Sequence, residues 1–101
     1  MYLLRYSKRK DKKYEIILYS DNGVIKSIHF GAKGYEDYTI HKDNIRKENY
    51  IKRHQVNENW NDLSKAGTFS RFLLWNKPSL SDSIKDMEKR FKIKITVDFL
   101  I

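Results

Sequence analysis

The feature that most limits the possible folds is a predicted β-hairpin in the first third of the chain. Residues 14–20 alternate β-forming side chains between two faces, and residues 24–30 continue in the same way. Between them stands Asn22-Gly23, a pair favoured in two-residue hairpin turns because both positions tolerate positive φ. The sequence therefore predicts two antiparallel strands joined at this turn.

A glycine-containing joint follows the hairpin, in the segment from His29 to Tyr38. It holds two of the four glycines, Gly31 and Gly34, with strand-like sequence before it and helical sequence after it. Such glycines mark backbone with positive φ or a close approach of another group. The joint is therefore either a simple strand-to-helix turn or a backbone-lined contact site with Lys33 beside it.

Two helices are predicted in the middle of the chain. Asp43 is a candidate N-cap for a helix over about residues 44–55, whose apolar stripe is thin. From Lys65 to Trp75 apolar residues recur at helical spacing, and Pro78 ends this second helix. The second helix is the most hydrophobic segment, so it is predicted to lie in the core.

A third helix and a final strand are predicted in the C-terminal part. Ser79 and Asp82 have the spacing of a capping box. The helix that follows carries a regular apolar stripe: Leu80, Ile84, Met87 and Phe91. Residues 93–101 begin with strict alternation of apolar and polar side chains, which is typical of a strand. This strand could pair with the hairpin or with the edge of another subunit.

These elements predict one compact α+β domain, in which a β-hairpin is followed by three helices and a C-terminal strand. Residues 1–13 are interpreted as a basic N-terminal arm, within which residues 2–6 could form a short strand. Residues 14–92 form the α+β core domain, and residues 93–101 are the C-terminal strand. A chain of 101 residues can hold one modest core, and its 40% hydrophobic residues indicate a folded protein.

The formal net charge of +8 is large for this length and favours polyanions or acidic protein surfaces as partners. Half of this charge lies in residues 1–20, where basic side chains are interleaved with tyrosines, and a second basic group lies on the first predicted helix. Such groups attract nucleic-acid phosphates without sequence preference, although a solvated basic surface is an equal alternative. The candidate contacts with nucleic acid or a protein partner are Lys8, Arg9, Lys10, Lys12, Lys13, Lys33, Arg46, Lys47, Lys52, Arg53 and Trp60.

The aromatic residues of the second helix and the loop before it admit two interpretations. They are Trp60, Phe69, Phe72 and Trp75. Their spacing favours the core, but some of them could instead be an exposed anchor for a protein partner, since tryptophan is enriched at interface hot spots.

The sequence gives no positive sign of catalysis. It contains no cysteine, so disulfides and thiolate metal sites are excluded, and His29, His41 and His54 lack the spacing of a standard ligand set. Gly31 to Gly34 resembles part of a phosphate loop, but the full pattern with its lysine and hydroxyl is absent. We therefore expect a non-enzymatic protein without a catalytic residue, metal or cofactor. Catalysis at the glycine joint would need a pocket with a convergent base or metal.

No apolar run approaches the roughly 18–20 residues that cross a bilayer, so no transmembrane segment is predicted. The apolar run at the start of the chain is too short, and its surroundings too charged, for a secretory signal, so we expect a protein that is not secreted.

Several stretches together resemble a family of short uncharacterised proteins frequent in large DNA viruses. They are HFGAKGYEDYTIHKD, RKENYIKRH, NENWND, AG and SRFLLWNKPSLSDSIKDMEKRF, which make a near-continuous match over residues 14–91. The resemblance implies a viral setting and a compact α+β module. It supplies no catalytic residue.

Two functions are expected from these observations. The first is a minor capsid or virion-associated protein that contacts other viral proteins or itself, in the virion or the infected-cell cytoplasm. The alternative is a nucleic-acid-binding module that uses the basic arm and the basic helix face for DNA or RNA.

Overall fold

The structure is a computed structural model that describes residues 1–99. Leu100 and Ile101, which the sequence pattern assigns to the last strand, lie outside the described residues. The elements follow one another in the order β1 (Tyr2–Tyr6), β2 (Lys12–Ser20), β3 (Gly23–Ala32), α1 (Tyr38–His41), α2 (Asn44–His54), α3 (Ala66–Phe69), α4 (Leu80–Phe91) and β4 (Ile95–Val97). A π-helical segment, Ser70–Leu74, continues α3.

The predicted hairpin is confirmed as β2 and β3, which pair in antiparallel fashion. Tyr14 lies opposite Phe30, and Ile16 lies opposite Ile28, so the alternating side chains share one face. Both strands extend further than the sequence pattern indicates, because Lys12 pairs with Ala32 at the glycine joint.

The strand order in the sheet is β3-β2-β1-β4. β1 is antiparallel to β2 and parallel to β4, so the C-terminal strand pairs with β1 of its own chain. The sequence interpretation assigns residues 1–13 to a basic arm, but Tyr2–Tyr6 is an inner strand of the sheet. The burial of an apolar side chain in this strand accounts for its inner position, since Leu4 lies opposite Ile16 and is fully buried.

The predicted caps of two helices are confirmed. The carboxylate of Asp43 accepts hydrogen bonds from the backbone N–H groups of Ile45 and Arg46 at the start of α2. The hydroxyl of Ser79 accepts a hydrogen bond from the backbone N–H of Asp82 at the start of α4. These caps satisfy N–H groups that have no partner within the helix itself.

Two helical features differ from the sequence pattern. The predicted helix over residues 65–75 is α-helical only at first, and its end widens into the π-helical segment, where the N–H of Trp75 donates to the carbonyl of Ser70 at 3.1 Å. The short helix α1, which the pattern leaves ambiguous, forms because Asp37 accepts a hydrogen bond from the N–H of Thr39.

The core lies on one face of the sheet, between the strands and the helical segments after residue 65. It is formed by Leu4, Ile16, Phe30, Phe69, Phe72, Leu73, Leu74, Ile84, Met87 and Ile95. The chain is therefore a single α+β domain with the predicted hairpin, helices and C-terminal strand. Within residues 1–99 no helix is long and apolar enough to cross a membrane.

Candidate nucleic-acid interface

The glycine joint brings two separate parts of the chain together. Gly31 and Gly34 have φ angles of 79° and 92°, which turn the chain sharply at the end of β3. As a result the backbone N–H of Lys33 donates to the carbonyl of Asp11 at 3.0 Å. Lys33 therefore lies beside the turn between β1 and β2, which holds Lys8, Arg9 and Lys10.

Some of the basic side chains at and near this turn form ion pairs with a carboxylate, and others do not. Arg9 pairs with Asp11 at 2.8 Å. Lys13 is largely buried and pairs with the buried Asp37 at 2.6 Å, so its charge is balanced within the fold. Within residues 1–99, four lysines near the turn have no carboxylate oxygen within 4 Å: Lys8, Lys10, Lys12 and Lys33.

The basic residues of α2 divide in the same way. Lys47 is engaged within the fold, because its Nζ donates to the carbonyl of Asn76 at 2.6 Å and lies 4.9 Å from the Tyr38 ring centre. Its partial burial lowers the pKa of Lys47 below its ordinary value. Arg46 pairs with Glu36 at 3.5 Å. Lys52 and Arg53 are exposed in the last turn of α2, where cations also interact favourably with the helix dipole.

A cavity of about 310 Å³ lies at the joint. Lys12 and Tyr35 both line it, and Tyr35 also lines the adjacent cleft together with Arg46 and Arg53. Tyr35 is 74% exposed, so its ring is accessible between the two basic groups. We call Lys8, Lys10, Lys12, Lys33, Tyr35 and Arg53 the basic surface.

The carboxylates that line the cavity already have cationic or hydrogen-bonding partners. Asp37 pairs with Lys13, and Glu58 contacts Nδ1 of His54 at 2.9 Å. The ring of Tyr50 stacks on His54 and on Trp75, with centroids 4.2 and 4.4 Å apart, and burial raises the pKa of Tyr50 above its ordinary value. These acidic and aromatic side chains of the cavity lining are thus engaged with partners in their own chain.

A further polar network lies on the face of the sheet opposite the core. Glu15 is buried there and accepts a hydrogen bond from Arg5 Nε at 2.8 Å and another from the Ser27 hydroxyl. Its second oxygen is 3.3 Å from His29 Nε2, and His29 Nδ1 is 2.7 Å from the Ser7 hydroxyl. These bonds hold β1, β2 and β3 together across the sheet.

Trp60 belongs to the fold rather than to the basic surface. It is half-buried and packs against the core, and the Arg71 guanidinium carbon lies 5.4 Å from its ring centre. Phe69 and Phe72 are buried in the core, as the core interpretation of this aromatic set predicts, and the partly buried Trp75 packs against them.

Sequence reasoning identified the basic residues and the tyrosines interleaved with them in the N-terminal segment, but it did not single out Tyr6 or Tyr35 as a contact candidate. Their exposure depends on how the joint and the sheet end are packed, and no local pattern encodes it. Within residues 1–99 no group of three or more histidine, aspartate or glutamate side chains could hold a metal ion.

Comparison with known proteins gives one positive result. The profile of the Family of unknown function (DUF5754) matches residues 2–54, slightly more than half of the chain. The matched region runs from β1 to the end of α2, so it contains the joint and the whole basic surface. Searches of curated proteins and of solved structures find no match to the chain. The chain belongs to the Family of unknown function (DUF5754).

Proposed function

We propose that this protein is a non-enzymatic nucleic-acid-binding component of a large DNA virus, acting in the virion or in the infected-cell cytoplasm. The viral setting rests on the resemblance of residues 14–91 to short viral proteins. The binding function rests on the basic surface, where lysines of the β1–β2 turn and Arg53 of α2 flank one joint.

The observation that carries this proposal is the convergence at Lys33. Its backbone is bonded to Asp11 of the β1–β2 turn, and two residues later Tyr35 borders the cleft that Arg53 lines. Basic groups about forty residues apart in the sequence thus face one region. A phosphate backbone can contact several such cations at once, and each contact releases a condensed counterion.

Fluorescence anisotropy with a labelled DNA of about 12 nucleotides tests the proposal, over a salt range of about 50 to 300 mM. We expect the logarithm of the affinity to fall linearly with the logarithm of salt, with a slope of about 3 or more for four or five phosphate contacts. Polyglutamate of similar length is the competitor that tests for an acidic protein surface. No binding at the lowest salt, or equal displacement by polyglutamate, would contradict the proposal.

A second candidate is the minor capsid or virion-associated function, which a different part of the molecule favours. β3 is one of the two edge strands of the sheet, and within residues 1–99 no strand pairs with its outer edge. Near the hairpin turn Val24 and Ile25 are 68% and 64% exposed, and Met1, bonded to Tyr19, is 63% exposed. An open strand edge with apolar side chains is a surface on which another chain can add a strand.

Size-exclusion chromatography with light scattering tests this second candidate. An assembling protein is expected to self-associate, and Ile25→Lys should reduce the associated fraction because charge on an edge strand opposes pairing. Ile45→Lys is the matched control, since Ile45 is similarly exposed but lies on α2. A wild-type monomer that is also missing from washed virions by mass spectrometry contradicts the assembly function.

A further inference from the structure

A groove at one end of the sheet has the features of a stacking site for an unpaired base. It has a volume of about 350 Å³, and its lining includes Tyr6, Tyr14, Lys12 and Lys33. The groove lies where β1 ends and β2 begins, beside the turn that carries Lys8 and Lys10.

Tyr6 is the central side chain of this groove. It is 61% exposed although it lies within a strand of the sheet. Its ring stacks on Phe99 with centroids 4.4 Å apart and planes inclined by 24°, and it also stacks on Tyr14 at 5.8 Å. These contacts fix the orientation of the ring, and its exposure makes it available to a ligand.

Cationic side chains border the same groove. Lys12 and Lys33 have no carboxylate partner within 4 Å in residues 1–99, whereas the charge of Lys13 is balanced by Asp37. An exposed aromatic ring beside two available ammonium groups matches the chemistry of a nucleotide, whose base stacks while its phosphates pair with the cations.

We propose that the groove binds single-stranded nucleic acid, with one unpaired base stacked on Tyr6 and the adjoining phosphates on Lys12 and Lys33. The inference rests on the proposed nucleic-acid binding and narrows it from polyanions in general to single strands. A base inside a duplex has both faces covered by its neighbours, so only an unpaired base can offer a face to the tyrosine ring.

Anisotropy with a 12-nucleotide oligothymidylate and with a duplex of equal length, both at about 100 mM salt, tests the inference. We expect tighter binding to the single strand, and a loss of about fivefold or more on Tyr6→Leu, which removes the stacking ring. Tyr6→Phe keeps the ring and should bind like the wild type. Tyr19→Leu, at the opposite end of β2, is the control for loss of a tyrosine elsewhere in the sheet.

Ultraviolet cross-linking of the wild-type protein to a 5-iodouridine-substituted strand gives a readout that needs no variant. Cross-links in the peptide that contains Tyr6 support the inference, and cross-links confined to α4 overturn it. Binding of single strand and duplex with equal affinity, unchanged by Tyr6→Leu, overturns the inference and leaves the proposed function standing. If neither the single strand nor the duplex binds, both this inference and the proposed nucleic-acid-binding function are overturned.

Discussion

Gly31 and Gly34 are both needed for the backbone conformation of the joint, and Gly31 is also needed because there is no space for a side chain. Both have positive φ, a conformation that costs an L-residue with a side chain about 1 kcal/mol or more. At Gly31 a Cβ atom would also lie 2.8 Å from Cδ1 of Leu74, which is buried in the core and cannot easily move. At Gly34 nothing lies within 4 Å of that position.

Alanine substitutions should therefore separate the two requirements. Gly34→Ala is expected to lower the free energy of unfolding by about 1 kcal/mol through backbone strain alone. Gly31→Ala adds overpacking against Leu74, so we expect a further loss of about 1–3 kcal/mol. Chemical denaturation of both variants measures the difference, and equal losses would show that the contact with Leu74 is not restrictive.

Glu15 links three strands, and its ionisation is tied to folding. Burial opposes its charged form, but the hydrogen bond from Ser27 and the ion pair with Arg5 outweigh burial, so the pKa of Glu15 lies below its ordinary value of 4.5. Because the unfolded chain holds this proton more tightly, Glu15 stabilises the fold above pH 4.5. That stabilisation is lost as the pH falls through the lower, folded-state pKa.

Glu15→Gln tests this linkage. At pH 7 we expect the variant to be less stable by about 2 kcal/mol, since it loses charge-assisted hydrogen bonds. The stability gap between wild type and variant should narrow as the pH is lowered from about 6 to about 3, because the wild-type carboxylate becomes protonated. Urea denaturation across this range gives both curves, and parallel curves would contradict the assigned role of Glu15.

At the scale of elements, local signals predicted what local interactions determine. The Asp43 and Ser79 caps each act within a few residues, and each was predicted at its position. The hairpin was predicted as well, but its turn lies one residue earlier than expected: the loop residues are Asp21 and Asn22, and Gly23, which alone of the predicted pair has positive φ, already pairs with Ser20. The position of β1 between β2 and β4 depends on long-range pairing, which the basic composition of residues 1–13 obscured. The π-helical segment also escaped prediction, because its apolar spacing resembles that of an α-helix.

The Ser79 cap offers a direct test of one such local signal. Ser79→Ala should lower the free energy of unfolding by about 1 kcal/mol, because the N–H of Asp82 loses its acceptor. Ser81→Ala is a matched control within the first turn of α4. It should change stability by less than about 0.5 kcal/mol, since alanine favours helix more than serine does. A loss of equal size in both variants, measured by thermal denaturation, would argue against a capping role.

At the scale of the whole molecule, the two proposed functions occupy opposite ends of the hairpin. Lys8 and Lys10 lie at the β1–β2 turn, while Val24 and Ile25 lie near the β2–β3 turn. The nine residues of β2 separate these ends by roughly 30 Å. One molecule could therefore bind nucleic acid at one end and another protein at the other without steric conflict.

The candidate site was predictable as a list of residues but not as a surface. Composition identified the lysines of the β1–β2 turn and the arginines of α2. It could not show that Lys13 and Lys47 are engaged within the fold, because their partners Asp37 and Asn76 are 24 and 29 residues away. The glycine spacing marked the joint, yet the juxtaposition of Lys33 and Asp11 follows only from the folded sheet.

The most direct test of the central claim compares two variants with the same net charge. One replaces Lys8, Lys10, Lys12 and Lys33 of the basic surface by glutamine, and the other replaces the exposed lysines Lys85, Lys89, Lys92 and Lys94. Binding to the same DNA is measured by anisotropy across a salt series.

The basic-surface variant should lose about tenfold or more in affinity at about 100 mM salt, and its salt slope should fall by about 3, because four phosphate contacts are removed. The control variant should keep the wild-type slope. Equal losses in the two variants would show that total charge, rather than the basic surface around the joint, determines binding, and would contradict the account.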